Sequence, residues 1–461
     1  MNTPPVRIAV VGAGPAGFYA AGHLLKDSDG RIEVDMLERL PTPWGLVRSG
    51  VAPDHPKIKS VTRVYEKTAA HPRFRYFGNV ELGAHVGREE LLAHYHAIVY
   101  ATGSPSDRPL GIPGEQLPGS WAATDFVGWY NGHPDHPDLE FDLGCEHAVV
   151  VGNGNVALDV ARMLLLSHEE LGRTDIANHA LHALEHSGVR EVVVLGRRGP
   201  AQAAFTNPEL LELGEMEGVD VLVDPAELQQ GLAAGDASLD KTAANNVRIL
   251  KEFSERPPRG GERRIVLRFL CSPVELLPDE RGRVGGVRVV RNQLVSGDDG
   301  RLRAQPTDEH ETITAGLVLR AIGYRGVPLP GVPFDERTGV IRNERGRVLG
   351  PEGPLPGEYA VGWIKRGPTG VIGTNKKDAQ ETVDALLHDM ADGRLHQPSA
   401  PDPEELVRTL QARQPQLITY AGWSEIDRHE RASGEPAGRP RVKLTRIEEM
   451  LRVASEQQPE S

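Results

Sequence analysis

Apolar positions near the start of the chain fall into a repeating order of strand, turn and helix. Residues 6–11 are a short apolar run that ends in a glycine cluster, residues 16–26 are helix-like, and residues 33–38 return to a strand pattern. This is a βαβ unit. The order recurs near the middle: a buried strand at 147–151, a turn at 152–155, a helix at 156–166 and a strand at 191–195. Two such units more than 130 residues apart predict two nucleotide-binding domains, hence an α/β fold with two Rossmann-like domains. Apolar runs at 97–101 and 317–322 each stop at glycine (Gly103, Gly323), where the chain can cross between domains. Past Pro330 the text is rich in Gly and Pro. It then enters a strand at 358–361, a loop at 362–373 and a helix carrying Ala379, Val383, Leu386, Leu387 and Met390 on one face. The proline-rich segment 396–403 reads as a linker, and Thr445-Arg-Ile-Glu448 as a capping box that opens a last helix.

The turns carry the chemistry. Gly12-Ala-Gly14-Pro15-Ala16-Gly17 fits G-x-G-x-x-G directly after a strand, the arrangement that lets a pyrophosphate approach backbone at a helix N-terminus. Glu38 ends the next strand, 21 residues beyond Gly17. A carboxylate there accepts from ribose hydroxyls and repels a 2′-phosphate, so this site takes FAD or NAD. The second turn, Gly152-Asn153-Gly154-Asn155-Val156-Ala157, has the permitted alanine in third place, and its following strand ends in Arg197-Arg198 rather than an acid. Two guanidiniums match a 2′-phosphate. Opposite preferences at the two sites predict a resident flavin at the first and an exchanging NADPH at the second.

Composition narrows the class. A length of 461 residues suits two to three domains, and a formal net charge of −13 argues against nonspecific nucleic-acid binding. No run of about 18 apolar residues predicts an integral membrane segment. The glycines within residues 8–25 speak against a secretory leader. Cys145 and Cys271 form no CxxC, which disfavours a dithiol relay or cluster ligands and agrees with a cytoplasmic location. His133-Pro-Asp-His136-Pro-Asp138 reads as a surface loop rather than a metal site, and no metal is expected. One local stretch reverses the charge: residues 248–268 carry a net +4, a candidate dock for an acidic partner as well as a plain solvated edge.

Longer segments carry a specific resemblance. Leu40-Pro-Thr-Pro-Trp-Gly-Leu-Val-Arg-Ser-Gly-Val-Ala-Pro-Asp-His-Pro56, the turn through Asp159, Gly196-Arg-Arg-Gly199 leading to Ala204-Phe-Thr206, and the run from Val361 to Asp378 span most of the chain. Together they resemble the NADPH–ferredoxin reductases of the adrenodoxin-reductase type, particularly bacterial members. The resemblance implies FAD contacts at Gly12, Gly14, Pro15, Ala16, Gly17, Glu38, Leu46, Leu82, Trp363, Gly370, Val371 and Ile372. It implies NADP contacts at Arg108, Gly152, Asn153, Gly154, Asn155, Val156, Arg197, Arg198, Glu209 and Gly370. It also implies a discontinuous FAD domain, 1–106 with 331–461, around an NADP domain at 107–330. Trp363 stands where many two-dinucleotide flavoproteins carry Asp, which agrees with this branch and not with the thioredoxin- or disulfide-reductase branches.

The expected function is hydride transfer from NADPH to FAD, then single-electron transfer to an acidic iron–sulfur ferredoxin. His55 and Glu209 are the titratable candidates for handling the flavin N5 proton or holding the nicotinamide amide. The glycine turn at 370–373 supplies N–H groups and a positive helix end for the reduced flavin. Lys365, Arg366, Lys376 and Lys377 are further docking candidates. The alternatives are a flavin monooxygenase, which couples NADPH use to oxygen and an organic substrate, and an electron-input subunit of a larger redox enzyme.

Overall fold

The computed structural model describes residues 5–27, 30–233, 239–297 and 302–455. The chain divides into two compact units: Met1–Ser106 with Asn131–Pro137 and Tyr324–Ser461, and Asp107–Tyr130 with Asp138–Gly323. Both are α/β, and each holds a Rossmann-like parallel sheet, the second unit being inserted into a discontinuous first.

In the first unit seven strands run in the order Asn343–Glu344, Arg347–Gly350, Gly353–Ala360, Ala97–Tyr100, Val6–Val11, Ile32–Glu38, Phe74–Gly78. Pairing from Gly353–Ala360 through Phe74–Gly78 is parallel, and the two remaining edge strands are antiparallel. Successive residues of Val6–Val11 feed different cores: Ile8 and Val10 join the helices Pro15–Asp27 and Thr374–Ala391, while Ala9 and Val11 face the other layer. The 353–360 strand starts earlier than its sequence suggests. Its prolines, Pro354 and Pro356, lie where it pairs only with 347–350, and the parallel ladder to Ile98 begins at Glu358. The predicted apolar face of the 374–391 helix is borne out, with Ala379, Val383 and Leu386 fully buried. The tail adds helices Pro403–Arg413, Tyr420–Gly434 and Ile447–Ser455, whose Trp423, Ile426 and Met450 enter the same core.

In the second unit six parallel strands run Ser120–Ala122, Leu317–Arg320, His147–Val151, Glu191–Leu195, Arg263–Arg268, Val219–Val223. A three-stranded antiparallel sheet, Cys271–Pro278, Val284–Ser296 and Leu302–Thr314, accompanies them. The sequence pattern did not predict this second sheet. Its last strand is exposed along most of its length, so it lacks the alternation of apolar residues by which a half-buried strand is recognised.

Candidate functional site

The strands Val6–Val11 and His147–Val151 each end on a glycine that no other residue can replace without strain. Gly12 has φ +109° and Gly152 has φ +136°, and a Cβ on either would stand 2.6 Å or 2.2 Å from the carbonyl oxygen of Ala101 or Ala321. The second glycines differ in kind. A Cβ on Gly14 would meet nothing within 4 Å, and one on Gly154 only Ala204 Cβ at 4.0 Å. Open space over the second glycine, beside the starts of helices Pro15–Asp27 and Asn155–Leu165, fits a pyrophosphate at both turns.

Glu38 ends its strand half-buried beside the first turn. Its Oε2 accepts from Ala13 N at 2.8 Å and its Oε1 from Leu40 N at 3.1 Å. Burial pushes this carboxyl up from its ordinary range, against the pull of those two N–H donors and of Arg39. The carboxylate therefore holds the turn's backbone and keeps lone pairs for a ribose. Arg39 turns outward to Asp135 at 2.7 Å.

The 42–51 segment lies on this turn. Trp44 takes φ +85° and donates its N–H to Ala13 O at 2.8 Å, and a Cβ on Gly45 would stand 3.0 Å from Gly14 Cα. Leu46 then opens the four-residue helix Leu46–Ser49 and stays 37% exposed, although most of its neighbours are buried. The 362–378 run reaches the same helix start: a Cβ on Gly362 would stand 2.5 Å from Ala16 Cβ. Gly362 N donates to Asp378 Oδ2 at 2.6 Å. Trp363 is half-buried against Tyr324, ring centroids 5.2 Å apart, and its Nε1 is buried without an acceptor among the described residues. Gly370, at φ +80°, and Val371, 56% exposed, lead to the helix Thr374–Ala391 with Ile372 half-buried. Leu82 sits in the opposite core layer. His55 is buried at the start of Pro56–Lys59, its Nε2 4.0 Å from Asp54.

At the second turn Asn153 O accepts from Ala204 N and Asn155 Oδ1 from Thr206 N, both near 2.8–2.9 Å. These bonds draw the 204–206 segment onto the turn. Val156 is half-buried and Ala157 fully buried. Arg197 is exposed and Arg198 half-buried; among the described residues no carboxylate pairs with either. Burial and the Arg197 charge lower the Arg198 pKa, the condition of a cation awaiting an anion. Arg108 is likewise exposed and unpaired among the described residues. Glu209, on Asn207–Leu213, is buried with Arg162 Nη1 at 3.5 Å, and Arg162 also binds Asp159 at 2.9 Å.

Comparison with known proteins agrees with this geometry. The pyridine nucleotide-disulphide oxidoreductase family profile matches residues 6–200. The NADPH-ferredoxin reductase FprA of Mycobacterium tuberculosis is 54% identical, over 97% of this chain and 99% of its own. The mitochondrial NADPH:adrenodoxin oxidoreductase of Salvelinus fontinalis is 43% identical over 97% of this chain and 91% of its own. The solved structure of the Mycobacterium tuberculosis protein in complex with NADPH superposes with TM-score 0.92, at 53% identity, covering 98% of this chain and 99% of that one. The chain belongs to the NADPH–ferredoxin reductase family of the adrenodoxin-reductase type.

Within this family frame the basic residues sort themselves. In the 248–268 stretch Arg248 pairs with Glu252, Lys251 with Glu255, Arg264 with Glu191, and Arg268 with Glu227 and Glu311. Four of its seven basic residues thus meet carboxylates, two of these inside the stretch, while Arg256 and Arg259 donate to Gly214 O and Arg263 to Leu165 O, so the stretch keeps an excess of positive charge. Lys365 is buried against Asp378 and Glu381, and Arg366 is turned to Asn375 and Thr369 O. Lys376 and Lys377 remain exposed, with no ion pair among the described residues. Sequence reasoning missed Trp44 as the residue that seats its segment on the first turn. Its neighbour Gly45, inside an otherwise apolar stretch, was the available signal. No helix among the described residues is long and apolar enough to cross a membrane.

Proposed function

We propose that the chain is an NADPH-dependent flavoprotein reductase that delivers electrons singly to an acidic iron–sulfur ferredoxin in the cytoplasm. FAD is assigned to the first unit and NADP(H) to the second; the expected division, 1–106 with 331–461 and 107–330, differs from these units in the placement of 131–137 and 324–330. The observation that carries this reading is the contrast between strand ends: a carboxylate, Glu38, beside the first glycine turn, and two guanidiniums, Arg197 and Arg198, with no acid paired to them among the described residues, beside the second. Relatives whose names state NADPH and ferredoxin or adrenodoxin, over nearly the full length, support it.

FAD held in the first unit supplies the chemistry that joins a two-electron hydride donor to a one-electron acceptor. The protein's own work is positional. Residues 12–17 present backbone to the pyrophosphate, Glu38 accepts from the ribose and repels a 2′-phosphate, and Leu46, Leu82, Trp363 and 370–372 surround the rest of the flavin nucleotide. Trp363 Nε1, buried with no acceptor among the described residues, is a donor available to it. On the other side Arg108, residues 152–156, Arg197 and Arg198 hold NADP(H). His55 and Glu209 hold or move a proton at flavin N5, or fix the nicotinamide amide.

Anaerobic titration of the purified yellow protein with NADPH and with NADH, followed by addition of a ferredoxin, tests the reading. NADPH bleaches the flavin at stoichiometric amounts, and ferredoxin restores the colour. With charge-assisted bonds to the 2′-phosphate, NADH is poorer by about tenfold to a hundredfold. A colourless protein that cannot be loaded with FAD, or equal use of both nucleotides, overturns it.

A further inference from the structure

Beyond the two arginines themselves lies a group of bonds that fixes the backbone they stand on. Gly196 N donates to Arg268 O at 2.9 Å, and Cys271 N returns a bond to Gly196 O at 3.0 Å. Leu270 N donates to Arg198 O at 3.1 Å, and Asn292 Nδ2 donates to Arg197 O at 2.9 Å. Three successive carbonyls, at 196, 197 and 198, are thus each taken by a donor from the corner at 268–271 or from Asn292.

Two features show that this corner is held against its local preference. Leu270 is a buried non-glycine residue at φ +55°, a strained conformation that persists only where its surroundings enforce it. Asn292 supplies part of that enforcement: its N–H donates to Leu270 O at 2.7 Å and its Nδ2 also reaches Ser272 Oγ at 2.8 Å. Asn292 sits at a register shift: the step from Val290 to Asn292 faces the longer step from His310 to Pro306, so the extra residues lie in the Leu302–Thr314 strand. Glu227, fully buried, closes the other end by accepting from Phe269 N at 2.9 Å and pairing with Arg268 and Arg291.

From this we infer that Asn292 is a positioning residue for nucleotide specificity: it clamps the Arg197 carbonyl so that two mutually repelling guanidiniums stay side by side, ready for a 2′-phosphate. The inference rests on the reading of Arg197 and Arg198 as the phosphate grip. Adjacent like charges with no acid paired to them among the described residues gain by moving apart, and a loop of free carbonyls would let them. A clamped backbone leaves only side-chain torsions for that movement, so less order has to be imposed when the phosphate arrives. Asn292 acts on a contact that NADPH makes and NADH lacks.

The test is steady-state kinetics of the FAD-loaded enzyme with NADPH and with NADH, for the parent, Asn292→Ala and the Arg197→Ala/Arg198→Ala double variant. Inhibition by 2′,5′-ADP and by 5′-ADP is measured alongside. Asn292→Ala is expected to lower the NADPH-to-NADH ratio of kcat/KM about tenfold, the scale of one lost buried hydrogen bond, through KM for NADPH and with NADH kinetics little changed. Inhibition by 2′,5′-ADP weakens in step while that by 5′-ADP does not. Equal losses for both nucleotides, or none, overturn the role of Asn292. If the double arginine variant keeps the parent's ratio, it is the phosphate-grip reading that falls. Asn292→Thr, which fills more of the volume without the reach, serves if the alanine variant does not fold. Failure of both to fold assigns Asn292 to stability alone and also overturns the inference.

Discussion

Arg48 and Glu430 meet as a bidentate pair inside the first unit, 382 residues apart in sequence, with Nη1 and Nη2 at 2.8 and 2.5 Å from the two carboxylate oxygens. Neither side chain is more than 4% exposed. Arg48 belongs to the short helix that follows Trp44 and Gly45, the residues seated on the first glycine turn. Glu430 belongs to the tail helix Tyr420–Gly434 and also accepts from Arg441 at 3.0 Å and from Leu444 N at 2.9 Å. Trp423, on the same helix, stands edge-on to Trp44 at 4.8 Å. A tail without chemistry of its own thereby braces the segment that covers the first turn.

Removing Glu430 strands the buried Arg48, while half-buried Arg441 keeps Asp427 at 2.7 Å. Breaking a buried pair in this way costs about 3–5 kcal/mol, so Glu430→Ala is expected to lose that much in urea unfolding and to release its flavin more readily on dilution. Unfolding midpoints equal to the parent's would mean that the network contributes nothing to the brace.

Acid should act on the first unit in two stages. Burial lowers the His133 pKa to about 4, with Asp135 pulling the other way and His136, Arg39 and Arg48 adding to the shift. The unfolded imidazole takes its proton near 6.5, so between about 6.5 and about 4 the unfolded chain binds more protons and stability falls as the pH falls. Glu430 acts lower. Burial raises its carboxyl, but Arg48 and Arg441 more than offset this and hold it below 4.5, so its contribution persists above that value and is lost as pH falls through the depressed folded pKa. Unfolding free energies measured from pH 7.5 down to 4.5 should show a downward slope that His133→Gln flattens. An unchanged slope in the variant would remove His133 as the cause.

Local rules made much of this chain legible. Each glycine turn is set by six consecutive residues after a strand, and the acid or arginine pair follows at the end of the next strand, so both turns and their charge preference could be read directly. What escaped was non-local. Glu38 was legible as a ribose acceptor but not as the acceptor for Ala13 and Leu40, which depends on how the strand end meets the turn. The Arg48–Glu430 pair joins segments that no spacing rule connects. Leu270 at positive φ and the register shift at Asn292 depend on a sheet whose outer strand, Leu302–Thr314, shows no apolar period.

His55 and Glu209 differ in what a substitution exposes. His55 is buried in a loop with Asp54 nearby, whereas Glu209 lies against Arg162, itself tied to Asp159. Each alanine variant is expected to slow stopped-flow flavin reduction by NADPH at least about tenfold with FAD still bound, a floor set below the roughly hundredfold or more that a positioned acid–base group typically contributes. Glu209→Gln separates chemistry from packing: it keeps the volume beside Arg162 and loses the charge. Reduction at the parent's rate in His55→Ala or in Glu209→Gln would return that residue to a structural role.

Lys376 and Lys377 sit in the first turn of an 18-residue helix that carries no acid there. A helix N-terminus disfavours cations by about 0.3–1 kcal/mol each, and neither lysine recovers that cost through an ion pair among the described residues. Their exposure next to the 370–373 turn makes them candidates for meeting an acidic electron acceptor, whereas Lys365 is taken up by Asp378 and Glu381. Ferredoxin reduction should therefore slow steeply as ionic strength rises past the point where the screening length drops below about 10 Å. Lys376→Glu/Lys377→Glu should raise KM for ferredoxin several-fold more than KM for NADPH and flatten the salt dependence. A double variant that keeps the parent's salt profile would place the docking charge elsewhere on the chain.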